Sequence, residues 1–367
     1  MTEAARRPDD LIVFVGTYNT QGTKSDNGLY LYYLDLSTGA LRLGGAARSL
    51  NPSFLTVDPT QRFLYTVNET MQWDGQTGGG VSAYSLDPQT AEPMLLNQQP
   101  SKGGAPCYIS IDTARRFAFL VNYGQGNVIM LPILPDGRLA PASDAIQHHG
   151  SSANPRRQEG PHTHSIVLDP SQQFALVSDL GTDTVTVYAI DYEHGKLTYR
   201  SQWKAQPGAG PRHLTFHPNG HFAYLIQEVN STITAFAYHS ETGTLEELQT
   251  VSALPKDFHG ESTGAEVRVS PSGKFLYGSN RGDDSIVQYT IDEATGKLMY
   301  VAHHSSGGRT PRNFTIDPTG TIMLVANQDT SNIVSYHIDE QTGRLQPTGN
   351  ITQVNRPVCV RIIRWQL

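Results

Sequence analysis

Residues 211–249 read PRHLTFHPNGHFAYLIQEVNSTITAFAYHSETGTLEELQ. Four short strands are legible in this stretch. A first segment starts at Pro211 and alternates to His217-Pro218. A second apolar segment, FAYLIQE (222–228), and a third, TITAFAY (232–238), follow. The turn Glu241-Thr242-Gly243 then leads to a fourth segment beginning at Leu245. Alternation over a few residues marks half-buried strands, and Gly supplies the positive φ that tight hairpins need.

The same unit recurs along the chain. Its first-strand anchors, Pro52, Pro106, Thr163, Pro211, Gly264, Pro311 and Pro357, lie 54, 57, 48, 53, 47 and 46 residues apart. Second and third segments follow the first six anchors, for example FLYTVNE (63–69) with VSAYSLD (81–87). Four short strands per roughly fifty residues are the signature of propeller blades. The chain starts on a second-type segment, LIVFVGTY (11–18), and a third-type one, GLYLYYLD (28–35). It ends on an orphan first-type strand, Pro357 to Arg361. The two ends therefore complete one another as a single blade. The expected fold is an all-β, seven-bladed propeller of four-stranded antiparallel blades, whose ring is closed by the N- and C-terminal strands. Closure removes two open sheet edges without a disulfide. The expected organisation is a flexible N-terminus, 1–10, and one propeller domain, 11–367.

Composition agrees. The 367 residues include 34 Gly and 22 Pro, which suits a turn-rich chain. Only 17% are charged, which excludes a coiled coil or a charge-rich disordered chain. The net charge is −7 and no Lys/Arg run stands out, so no nucleic-acid partner is expected. No apolar stretch approaches the ~18 residues of a membrane span. The apolar run Leu11–Val15 is too short for a signal peptide, and Cys107 and Cys359 do not form a disulfide framework. These features point to a cytoplasmic protein, a monomer or weak homo-oligomer.

In a propeller the first strands line the central channel, and ligands sit at one mouth. The residues directly after the anchors are Ser53, Cys107, His164, Arg212, Ala265, Arg312 and Val358. Turn chemistry has no need of the cations or potential cations among them. Second strands end on Glu69, Tyr123, Leu180, Glu228, Arg281 and Gln328, preceded by Asn68, Asn122, Asp179, Gln227, Asn280 and Asn327. His164, Arg212, Arg281 and Arg312 would make a local positive field in an acidic protein, which suits a small anionic substrate bearing carboxylate or phosphate. His162, Glu69 and Asn327 join them as candidate substrate-binding residues. In the bland alternative each Arg pairs with a carboxylate such as Glu228 or Asp283 and ties blades together. Arg156 and Arg157 lie in a polar loop, 147–160, as outlying candidates. His162 and His164 are two apart and share a side of an extended strand. They could serve a metal, but His-x-His alone is a weak ligand signal. His164 is preferred as a proton-transfer group, the alternative being a hydrogen-bonded structural His. His148 and His149 read as exposed loop residues. No metal and no cofactor are expected. The rim carboxylates and amides would permit Ca²⁺, but no compact oxygen-ligand motif is visible.

The sequence resembles the seven-bladed propeller lactonases, a family that includes bacterial cycloisomerase-type 6-phosphogluconolactonases and fungal carboxy-muconate lactonizing enzymes. The resemblance runs from VGTY (15–18) to PVCVRI (357–362). Its most specific pieces include GPHTHSIVLDP (160–170), GPRHLTFHPNG (210–220), GAEVRVSPSGKFLYGSNRGDDSI (264–286) and TPRNFTIDPTG (310–320). It implies a site of His, Arg, Glu and a further Arg at one mouth, which fall on His164, Arg212, Glu228 and Arg281. It also implies hydrolysis of a sugar lactone, foremost 6-phosphogluconolactone to 6-phosphogluconate. His164 would take a proton from water and Arg212 would stabilise the oxyanion. Glu228 would orient a basic partner, and Arg281 and Arg312 would hold the phosphate. A muconate-type lactonizing enzyme and a non-catalytic binding scaffold are the alternatives. The long polar loop 147–160 sits where substrate choice would be made.

Overall fold

Each complete copy of the repeat forms one four-stranded antiparallel sheet, in the order that its four segments have in the chain. The computed structural model describes residues 10–19 and 27–365. Blades 1 to 6 span 55–100, 106–147, 163–204, 211–252, 263–305 and 311–353. Blade 7 is composite: Pro357–Ile363 is its innermost strand, followed outward by Leu11–Thr17, Asn27–Leu34 and Leu41–Arg48. The closing strands pair antiparallel from Ile12↔Ile363 to Gly16↔Cys359. The expected propeller, its seven blades and its mode of closure are therefore all present. Of the N-terminal stretch 1–10, only Asp10 lies among the described residues. It is buried and ion-paired with Arg42, so it belongs to the fold and not to a flexible tail.

An aspartate follows four of the first strands and builds the turn into the second. Asp58, Asp112, Asp169 and Asp317 are buried at 0–1% exposure. Their Oδ1 atoms accept the backbone N–H of Phe63, Phe117, Phe174 and Ile322 at 2.6–2.8 Å. Satisfying those amides lets each first-to-second-strand turn be buried.

The hairpin glycines turn out to hold neighbouring blades together. Gly296 (φ 67°) lies against the Phe222 ring of the preceding blade, where an added Cβ would stand 2.4 Å from Cδ1. Gly343 and Phe275 repeat the contact one blade on, at 2.6 Å. Above each contact a tyrosine hydroxyl donates to the same glycine's carbonyl: Tyr224 to Gly296 at 3.0 Å and Tyr277 to Gly343 at 2.6 Å. One feature was not anticipated. A small hairpin, Gln72–Trp73 with Gln76–Thr77, is inserted between the second and third strands of blade 1. No described helix is long and apolar enough to cross a membrane.

Replacing Gly296 by Ala should destabilise the protein by about 1–3 kcal/mol, because it adds both backbone strain and a ring clash. Urea unfolding of Gly296→Ala beside the parent protein measures this, and an unchanged midpoint would contradict the inter-blade role.

Candidate active site

The residues that follow the anchors owe their aim to β-bulges. In blades 2, 3, 4 and 6 the pairing of first with second strand slips at Pro106/Tyr108, Thr163/Ser165, Pro211/His213 and Pro311/Asn313. The residues left unpaired are Cys107, His164, Arg212 and Arg312. In blade 7 the slip at Gly16/Thr17 leaves out Val358. A bulge re-aims the extra side chain and sharpens the local twist. In these five blades it re-aims one residue each at the level of the channel mouth.

Glu228 is the hub of that mouth and is only 3% exposed. Its Oε2 accepts from Arg212 Nε at 2.8 Å and pairs with Arg281 Nη2 at 2.8 Å. Its Oε1 takes Arg157 Nη2, which also donates to the Tyr123 hydroxyl at 3.3 Å. Burial would raise this carboxyl's pKa, but Arg281 and Arg212, with His164 and Arg157, hold it well below the usual range. Arg212 is 1% exposed and spends Nη1 on the Ala265 carbonyl at 2.7 Å and on His213 Nε2 at 3.2 Å. Its Nη2 makes no hydrogen bond to a described residue and remains available to a ligand. Burial, then Arg281, lowers its pKa to about 10, so it stays cationic at neutral pH.

His164 stands beside this hub. Its Nε2 is 3.9 Å from Glu228 Oε2 and its Nδ1 is 3.9 Å from Cys107 Sγ. Glu228 therefore acts on arginines and does not orient this ring directly. Tyr123 and His213 meet it edge-on, with centroids at 5.6 and 5.2 Å. Burial first, then Arg212 and His213, push its pKa well below 6.5. It is a neutral imidazole at neutral pH, with no tight protein partner on either nitrogen.

Arg312 differs from the other arginines. Its guanidinium lies 5.3 Å from the Tyr18 ring centroid and makes no hydrogen bond or ion pair with a described residue. The nearby carboxylate, Glu69, accepts from the Tyr18 hydroxyl at 2.8 Å. The bland reading of the arginines thus holds for Arg157, Arg212 and Arg281, which share Glu228, and fails for Arg312. A cavity of about 640 Å³ opens beside Arg157 and Arg281, lined also by Asn154, Ser262 and Thr263.

Several expected placements change. Asn327 is fully buried and donates to the Ser306 carbonyl at 2.9 Å. Asn122 and Asn280 do the same to Ser101 and Ala253, at 2.8 and 2.7 Å. These three asparagines tie their second strands to the preceding loop and are spent there, away from the mouth cluster. His148 is buried, not exposed: Nδ1 is 2.8 Å from Asp179 Oδ2 and Nε2 is 2.8 Å from the Tyr188 hydroxyl. His162 stacks on Tyr123 at 4.5 Å, with Nδ1 at 2.9 Å from the Tyr123 carbonyl, so it props the rim. Arg157, treated as outlying, reaches the hub because Gln158 pins its loop. Fully buried, Gln158 donates to the Leu180 carbonyl and to Asp183 at 2.8 and 2.7 Å. Arg156 stays exposed. Among the described residues no group of three or more His, Cys, Asp or Glu could hold a metal ion.

The family described as "Lactonase, 7-bladed beta-propeller" matches residues 12–362. The chain belongs to that family. It is 36% identical to a 6-phosphogluconolactonase of Bacillus subtilis, over 83% of this chain and 84% of that one. A 6-phosphogluconolactonase of Formosa agariphila is 32% identical over 82% of this propeller lactonase and 85% of its own length. Among solved structures, the periplasmic gluconolactonase of Pseudomonas aeruginosa superposes with a TM-score of 0.92 at 34% identity, covering 98% of this chain and 100% of that one.

Glu228→Gln should cost about 3–5 kcal/mol of stability, since it strips three arginines of their shared counter-charge. Because the folded pKa of Glu228 is depressed, its contribution is present above the unfolded value of about 4.3 and drains away as the pH falls below it toward the folded value. Denaturant titrations between about pH 3 and 7 check both points: the parent should weaken on the acid side more steeply than the variant.

Proposed function

We propose that this protein hydrolyses a sugar lactone at the Glu228 mouth, with 6-phosphogluconolactone as the leading substrate and 6-phosphogluconate as the product. The observation that carries the reading is a neutral His164 with only 3.9 Å contacts to its nitrogens, in one mouth with an Arg212 whose Nη2 has no hydrogen-bond partner among the described residues. Water attacks the lactone carbonyl and passes a proton to His164. Arg212 donates to the oxyanion as it forms, from a guanidinium that Glu228 already holds in place. The tetrahedral intermediate collapses, the ring C–O bond breaks, and the proton on His164 passes to the departing ring oxygen. Arg312, the site arginine with no carboxylate of its own, binds the substrate's anionic group, and Arg281 and Glu69 frame it. His162 fixes Tyr123 and with it the rim. No step calls for a metal or a cofactor, because a lactone is an already activated ester.

The partner is a small anionic molecule. The names of the relatives cover both a phosphorylated and an unphosphorylated lactone, so the charge carried by Arg312 is the feature on which substrate choice turns. We place the protein in the cytoplasm, in keeping with two free, buried cysteines. Cell fractionation separates this from a periplasmic location.

His164→Ala and Arg212→Ala should each lower kcat for 6-phosphogluconolactone by about 10²–10⁴-fold. Unchanged rates would remove these residues from the mechanism. Arg312→Ala should mainly raise KM for the phosphorylated lactone and spare glucono-lactone, which steady-state kinetics on both substrates would show. A base with a depressed pKa stays unprotonated down to that pKa. The acid limb of kcat/KM should therefore lie well below pH ~6.5, the usual His value, and a midpoint near that value would contradict the assignment.

A further inference from the structure

Three rings from blades 1, 2 and 4 meet at the inner strands. Just below the mouth, Phe54 stacks on Tyr108 with centroids 3.9 Å apart, and the His213 ring closes edge-on against both, at 5.8 and 5.2 Å. Beside this cluster Glu266 is 3% exposed: Asn313 Nδ2 donates to its Oε2, and His213 Nδ1 is 3.3 Å from its Oε1.

Beneath the cluster lies a second layer of inner-strand residues, three positions past the mouth ring and so ~10 Å further along. Four of its members, Thr56, Ser110, Thr215 and Thr315, carry hydroxyls, and two others are Arg268 and Arg361. All six face the same second-strand position in register, opposite Tyr65, Phe119, Tyr224, Leu324, Tyr277 and Phe14. Arg361 lies 4.9 Å from the Phe54 ring centroid and spends Nε on the Leu55 carbonyl at 3.2 Å. Arg268 is ion-paired with Glu266, its Nε 3.5 Å from Oε1 without hydrogen-bond geometry, and the buried Ser110 hydroxyl has no hydrogen-bond partner among the described residues. No terminal guanidinium nitrogen of either arginine bonds a described residue. The two come from blades 5 and 7. Burial first and Arg268 second lower the pKa of Arg361, whereas Glu266 raises that of Arg268 against its burial. The aspartates of the first-to-second-strand turns make no ion pair with either arginine: Asp58 and Asp112 pair with Arg115 and Arg116, and Asp169 and Asp317 hydrogen-bond within their own turns.

The geometry points to a second anion-binding site at the far end of the channel, formed by Arg268 and Arg361 with the Ser110 hydroxyl, with the Phe54–Tyr108–His213 cluster between it and the mouth. Its ligand is a small oxyanion, a phosphate or a carboxylate. Two guanidinium forks and a ring of hydroxyls offer donors in excess, and the one carboxylate they touch among the described residues, Glu266, is already shared with Asn313 and His213.

Calorimetric titration of the full-length protein with inorganic phosphate, and separately with gluconate, tests this. The parent should bind one of the two at a site that Arg268→Gln and Arg361→Gln each weaken by about tenfold or more, and that Arg312→Gln leaves intact. Phosphate alone binding there identifies a tetrahedral anion, and gluconate alone a carboxylate. Neither binding, or binding abolished only by Arg312→Gln, overturns the site. Thermal melts establish that the variants fold, and the charge-conserving Arg361→Lys should keep partial affinity. Crystals of the parent soaked in phosphate give an independent reading: density against Arg268 and Arg361 is expected, and density confined to the mouth would refute the proposal.

Discussion

The antiparallel pairing of Leu11–Thr17 with Pro357–Ile363 joins two strands that lie more than 300 residues apart. Blades 1 to 6 are built from contiguous sequence and each could pair its own strands. None can bury both of its faces alone, and the seventh sheet exists only when the chain's ends meet. Closure brings a seventh inner strand to the channel, and with it Val358 at the mouth and Arg361 at the far end. It also removes the two edges that an open array would present to other molecules.

A closed ring sets up the chemistry by placing one bulged residue from each contributing blade around a common axis. The arginines would repel one another there were it not for Glu228, which draws Arg157, Arg212 and Arg281 onto a single carboxylate. A loop, blade 4 and blade 5 are thereby locked together. Burial, then Arg212 and His213, leave His164 uncharged, and Arg212 keeps Nη2 unspent among the described residues; the proposed proton transfer and oxyanion stabilisation require these states. Below, the rings of Phe54, Tyr108 and His213 pack against one another, between the level of the mouth and that of Arg268 and Arg361.

Much of this was legible in the repeat. The period, the turn residues and the orphan end strands lead directly to seven blades. Aligning the copies brings His164, Arg212 and Arg312 into one ring, because residues at equal offsets in a closed symmetric array meet. The row holding Asn327 was misassigned for a related reason: alignment reveals which residues share a level but not which side of the strand they face. Arg157 and His148 lie outside the repeat, in a connection with no period to align. Their positions depend on Gln158, Asp179 and Tyr188, contacts made across separate stretches of chain.

The sequence by itself determined the all-β repeat, the blade count and the level of the channel at which the charged residues sit, since these follow from local alternation and from spacing. Only the tertiary structure decided which arginines are neutralised and which stay free. Ion pairing among buried groups depends on distances of a few ångströms between side chains from different blades and loops. Glu228 and Arg157 are 71 residues apart in the chain, and nothing in their spacing foretells that they share a hydrogen bond.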